Sequence, residues 1–181
     1  MRQGNANMME KLRNDSQVLL NGSGKLDFFT DRGIGRETVA KAGIGYRTGT
    51  FTYPCKDRNG TVLGVHYKSD SRDAKGKRRQ RWGDFNPDMP SKGNGAPAKV
   101  IPFGLETLVG MAPGSLVVLT CGEEDALSLR QVGYIAISQP GAGLLEPTYA
   151  SEFRGLDVVV FYDAGEERSL SRCAQARGGW D

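Results

Sequence analysis

The stretch Leu116 to Leu129, LVVLTCGEEDALSL, constrains what this chain can fold into more than any other. The apolar strand formers Leu116 to Leu119 stand in unbroken succession, which suits a central parallel strand covered on both faces, and Gly122 permits a sharp exit from it. Glu123, Glu124 and Asp125 then read as the first turn of a helix, where the helix dipole favours carboxylates and where they can hold a hard cation such as Mg²⁺. Leu156 to Gly165, LDVVVFYDAG, repeats the pattern, with an apolar strand ending at Asp163 and a glycine before another helix. Open α/β sheets bind ligands at the carboxyl ends of their strands, so the two strand ends are expected to face one cleft.

Around these stretches the order reads strand 116–120, helix 123–132, strand 134–138, a glycine loop, a short helix near 147–153, strand 157–162 and helix 166–177. Strands alternating with helices at this spacing predict a parallel sheet with right-handed crossovers. Gly141 and Gly143 in the loop would let backbone amides approach a phosphate, although a plain turn is the commoner use of such glycines.

The first half reads differently. Met8, Met9, Leu12, Val18, Leu19 and Leu20 predict an amphipathic helix that ends at Asn21-Gly22-Ser23-Gly24. Two short helices are expected to meet at Arg32-Gly33-Ile34-Gly35, the second covering Arg36 to Ala42 before Gly43 stops it. From Thr50 the period changes to alternation, and Asp57-Arg58-Asn59-Gly60 reads as the turn of a β-hairpin in which His66 is a strand residue rather than a catalytic base. Pro102 to Met111 predicts a short helix. The fold class is therefore α/β, an α+β first part followed by a parallel-sheet α/β part, with expected boundaries at 1–24, 25–110 and 111–181.

Charge divides along the same line. Residues 1–110 carry 19 Lys and Arg against 11 Asp and Glu, whereas residues 111–181 carry 5 against 10, so a net charge of +3 conceals a basic part beside an acidic one. Such asymmetry suits polyanion binding next to metal or nucleotide chemistry. Lys68 to Lys99 holds nine Lys and Arg against four Asp, and Lys75, Lys77, Arg78, Arg79, Arg81 and Trp82 cluster within it. Dense cations neutralise phosphates and an aromatic face stacks on unpaired bases, which points to single-stranded nucleic acid; a solvated loop is the plainer alternative. Asn86 to Pro102 reads as a loop or linker.

Cys55, Cys121 and Cys173 lie far apart, and His66 is the one histidine, so neither a zinc site nor a disulfide framework is implied. No apolar run approaches the roughly 20 residues of a membrane helix, and the first residues are too polar for a signal peptide, so a cytoplasmic location is expected.

Cys121-Gly122-Glu123-Glu124-Asp125-Ala126-Leu127 resembles the first motif of the Toprim domain, an apolar strand followed by Glu-Gly-x-x-Asp-Ala-apolar, and Val158 to Glu167 resembles the second, an apolar strand ending in Asp-x-Asp. Toprim domains occur in bacterial and phage-type DNA primases, topoisomerases and some nucleases. Arg32-Gly33-Ile34, Gly45-Tyr46 and the Asp57 to Gly60 turn before basic residues are similar to the subdomain that accompanies Toprim in primases. The resemblance covers about residues 25–177. It implies a DNA primase-like nucleotidyltransferase active in DNA replication, with single-stranded DNA as template, nucleotide triphosphates as substrates and Mg²⁺ or Mn²⁺ as cofactor. A replicative helicase is a candidate partner, and phages or other mobile elements a candidate setting. Catalysis would fall to Asp163, Glu123 and Asp125 with Cys121 at the usual glutamate position, and metal binding to Asp163, Glu124, Glu166 and Glu167.

Two departures bear on that chemistry. Cys121 replaces the motif's acid/base glutamate, and Gly165 leaves Asp163 alone of the Asp-x-Asp pair. A thiol is a poor substitute for a carboxylate toward Mg²⁺, so the nearby carboxylates either rebuild the site or merely cap helices. A catalytically impaired module that binds single-stranded DNA or a replication partner is the alternative, and a Toprim nuclease the third. A Toprim sheet usually has a further strand, so the domain is expected to be incomplete at its carboxyl end.

Overall fold

The computed structural model describes residues 3–83, 101–139 and 147–162. The chain divides into two compact units, residues 1–55 with 62–98 and residues 56–61 with 99–181.

The first unit opens with α1 (Gln3–Asn21). Its buried stripe is Met8, Leu12, Asp15 and Leu19, a sequence of i, i+4, i+7 and i+11 positions that lies along one helix face. Met9 and Val18, expected on that face, are exposed because they fall outside the stripe. Two short helices follow, α2 (Asp27–Thr30) and α3 (Arg36–Ala42), and the latter stops at Gly43, whose φ of 71° is the left-handed conformation that glycine adopts without strain.

β1 (Gly45–Arg47), β2 (Thr50–Lys56), β3 (Val62–Arg72) and β4 (Arg78–Gly83) form one sheet in that order, with β1–β2 and β3–β4 antiparallel. α1 lies directly on β1: a Cβ at Gly45 would stand 2.5 Å from the Cβ of Asp15 and 2.6 Å from its carbonyl carbon. Val65 and Tyr67 of β3 pack with Met8 and Leu12 of α1. Phe29, Phe51 and Tyr53 are fully buried, and burying each such side chain contributes about 1.5–3 kcal/mol.

The β2–β3 and β3–β4 turns of this sheet are built alike. Asp57 Oδ1 accepts the amides of Asn59 (2.9 Å) and Thr61 (2.8 Å), and Asp73 Oδ1 accepts those of Lys75 and Lys77 (both 2.9 Å). Each turn ends in a glycine with positive φ, Gly60 or Gly76. The second turn makes the basic run a paired strand where a loop was the plainer expectation: Arg78 to Gly83 forms β4, because Asp73-Ala74-Lys75-Gly76 turns the chain back onto β3.

The second unit holds a 3-10 turn (Leu105–Leu108), β5 (Leu116–Thr120), α4 (Glu123–Gln131), β6 (Ala136–Ser138), α5 (Pro147–Ala150), a 3-10 turn (Ser151–Phe153) and β7 (Asp157–Phe161). β5 is central, flanked in parallel by β6 and β7. Its Val117 to Thr120 are buried, as its unbroken apolar run predicts. β6 is shorter than the expected 134–138 strand, because the amides of Gly133 and Tyr134 return to Arg130 and Leu129 of α4, and Gly133 takes a φ of 94°. Arg130 ties these pieces together: its Nε donates to the Ala136 carbonyl (2.8 Å), its guanidinium lies 5.0 Å from the Phe103 ring centroid, and Glu106 stands 4.0 Å away. Arg58 at the hairpin tip, which groups with this unit, pairs with Glu152 at 2.8 Å. The expected helix 166–177, residues 86–100 of the expected 86–102 linker, and Gly141 and Gly143 lie outside the described residues, whereas Ile101 and Pro102 at the linker's end are buried.

Candidate functional site

Because β5, β6 and β7 are parallel, their carboxyl ends fall on one edge of the sheet. The register sets Thr120 beside Ser138 on one side and Phe161 on the other. The Gln139 amide donates to the Thr120 carbonyl at 2.8 Å, which completes the Thr120–Ser138 pair, and Cys121, Gln139 and Tyr162 form a row as the residues that directly follow the three strand ends. Across that row the Tyr162 hydroxyl donates to Gln139 Oε1 at 2.7 Å. Since β5 lies between β6 and β7, this bond ties the two outer strands together across the end of the central one, where Cys121 stands half-buried. Gln139 is 0% exposed, so its amide makes this contact away from water.

α4 begins immediately after the row, with extended Gly122 as its N-cap. Its three first-turn acids differ in setting. Glu123 is 1% exposed, Glu124 is half-buried and Asp125 is exposed. Asp125 folds back over the N-cap: its Oδ2 lies 2.7 Å from where a Cβ on Gly122 would be. Sequence reasoning gathers Cys121, Glu123, Glu124 and Asp125 around one strand end, and the structure does bring them there. Asp163, Glu166 and Glu167 lie outside the described residues.

The basic residues belong to the other unit. Lys75, Lys77, Arg79 and Arg81 are exposed on the β3–β4 hairpin, and alternation puts Arg79 and Arg81 on one face of β4. Arg81 stacks on Tyr67, with its guanidinium 3.9 Å from the ring centroid. Arg78 points to the opposite face, where it lies 4.2 Å from the Phe28 centroid and donates to the Ser69 carbonyl at 2.9 Å. Trp82 stacks on its cross-strand partner His66, with centroids 4.7 Å apart and planes 13° from parallel. One face of the indole is thus already covered.

No protein-family model and no curated protein matches this sequence. Solved structures do match. The catalytic core of the E. coli primase superposes with a TM-score of 0.71 at 17% identity, covering 94% of this chain and 66% of that one. A DnaG primase catalytic domain bound to single-stranded DNA gives 0.69 at 17% identity, covering 96% and 67%. The primase fragment of the bacteriophage T7 primase-helicase gives 0.56 at 21% identity, covering 81% and 58%. This is the fold of a DNA primase catalytic core. The chain spans about two thirds of the length of the bacterial primase cores it matches.

Within this primase fold the described donors around β5, which do not include Asp163, Glu166 and Glu167, do not by themselves fit a hard divalent ion. Among the described residues no group of three or more His, Cys, Asp or Glu side chains stands close enough to hold one. Cys121 offers soft sulfur, Glu123 is buried, and the row across the strand ends holds no carboxylate. Sequence reasoning passed over Gln139 and Tyr162, although each stands one residue beyond an apolar strand and the strand register predicts a shared row. It also passed over Lys68, which is 7% exposed with its ammonium 5.2 Å from the Tyr53 ring centroid. Its signal was alternation, since Lys68 shares the face of β3 that carries buried His66.

Proposed function

We propose that this chain is a primase-type DNA-replication protein whose first unit holds single-stranded DNA. The observation that carries the reading is the exposed cations Lys75, Lys77, Arg79 and Arg81 on one hairpin of a primase-core fold, an arrangement that neutralises phosphates along a strand. A matched primase domain binds single-stranded DNA, and another comes from a primase-helicase, which supports DNA and a replicative helicase as partners. Nucleotide triphosphates, a cytoplasmic setting, a phage or mobile-element origin and a Toprim identity for the second unit belong to the same proposal. No described helix is long and apolar enough to cross a membrane.

The donor set at the strand ends favours binding without synthesis. Primer synthesis with Mg²⁺ or Mn²⁺ is the second reading, supported by acids at the motif positions Asp125 and Asp163. A bound ion would neutralise the charge of a transferring phosphoryl group. With Cys121 in place of the glutamate, the hard ligands would have to come from Asp163, Glu166 and Glu167 beside Glu124.

Two assays on the same chain test the proposal: fluorescence anisotropy with labelled single-stranded DNA across a salt series, and incorporation of labelled nucleotides on that DNA with Mg²⁺ or Mn²⁺. The expected result is salt-steep binding that a chelator leaves unchanged, with no products. Absence of binding at low salt would sink the proposal. Primers that disappear in Asp163→Ala would establish the second reading, and shortened DNA would indicate a nuclease.

A further inference from the structure

We infer that the strand ends of the second unit are closed to divalent cations by the row Cys121, Gln139 and Tyr162, with the Tyr162–Gln139 hydrogen bond as the closing element. The inference rests on reading this edge as the place where a primase fold does its chemistry, and it deepens that reading.

A hard divalent ion needs several oxygen ligands around it and loses its water only when charged oxygens replace it. The central position of the row offers sulfur instead. The hard oxygen within the row suited to neutral ligation, Gln139 Oε1, already accepts the Tyr162 hydroxyl at 2.7 Å. Freeing it would leave a phenol and a fully buried amide without each other, and buried polar groups are costly to unpair. The bond also joins β6 to β7 across β5, so ligands arriving from either outer strand are held to a fixed separation. Glu123, the acid nearest in sequence to Cys121 on α4, is buried, and Asp125 turns back over Gly122. A carboxylate restored at position 121 alone therefore meets a neutral, internally satisfied neighbour on each side.

The test is Mn²⁺ binding, read from the loss of the free-ion electron paramagnetic resonance signal, for the unaltered chain, Cys121→Glu, and Cys121→Glu combined with Tyr162→Phe. The unaltered chain is expected to leave the signal intact. Opening the bridge should tighten binding, so that the double variant holds Mn²⁺ about tenfold more tightly than Cys121→Glu alone. Binding by the unaltered chain that is lost in Asp125→Asn would overturn the inference. So would equal affinity in the single and double variants, or no binding by either while circular dichroism shows both folded. Cys121→Glu combined with Tyr162→Leu removes the same hydroxyl while keeping Gln139 Oε1, and repeats the comparison if the Tyr162→Phe variant does not fold. Single-stranded DNA binding measured on the same samples separates the two levels, since its absence in the unaltered chain overturns the proposed function and not the closure.

Discussion

The Asp70 carboxylate receives the Tyr46 hydroxyl at 2.6 Å and the Lys25 ammonium at 3.0 Å. The Tyr46 bond first, and then Lys25, hold its pKa below the ordinary carboxylate value, while Asp70 raises that of Lys25. A depressed carboxylate contributes stability above its unfolded pKa of about 3.9 and loses it as pH falls through the folded value. Urea midpoints should therefore fall between about pH 5 and pH 2 in the unaltered chain, and Asp70→Asn should flatten that fall. An equal acid response in the variant would remove Asp70 from the account. The arginines of β4 separate by role at this same scale. Arg79→Ala is expected to weaken single-stranded DNA binding and lower the salt slope by about 0.7, with stability unchanged. Arg78→Ala should instead cost about 1–2 kcal/mol in urea unfolding, because its guanidinium rests on Phe28 and bonds the Ser69 carbonyl. Both arginines read alike in the sequence. Only the pairing of β4 with β3 gives them opposite faces.

Elements were legible where a local signal was strong. The long apolar period of α1, the glycine stop after α3 and the apolar run of β5 each specify their own structure. β4 was hidden because a string of cations carries no strand signal of its own; its turn supplied one, since Asp73 to Gly76 repeats the Asp-x-x-Gly of Asp57 to Gly60. Asp73→Ala is expected to destabilise the β3–β4 hairpin by about 1 kcal/mol through the lost acceptor of two amides, visible as faster hydrogen exchange at Lys75 and Lys77. Gly45→Ala should be more severe, about 1–3 kcal/mol, because backbone atoms of α1 occupy the space a methyl needs. A thermal midpoint unchanged in that variant would show that α1 can lift from β1 at little cost.

Across the full chain, the charge division supports the proposal that DNA meets the basic first unit and not the acidic second one. Photo-crosslinks from single-stranded DNA should concentrate on the β3–β4 hairpin; a majority on residues 101–162 would contradict that assignment. Short-range chemistry alone specified the alternation of strands and helices, the parallel sheet built on β5, and the acids at the start of α4, because periodicity, glycine stops and helix-start preferences act over a few residues. Long-range packing set what those residues meet. It buried Glu123, spent one face of Trp82 on His66, and joined Gln139 to Tyr162 across Cys121. Each of these outcomes depends on residues distant in sequence, and strand order and register, which set who stands beside whom, are settled only when the sheets form.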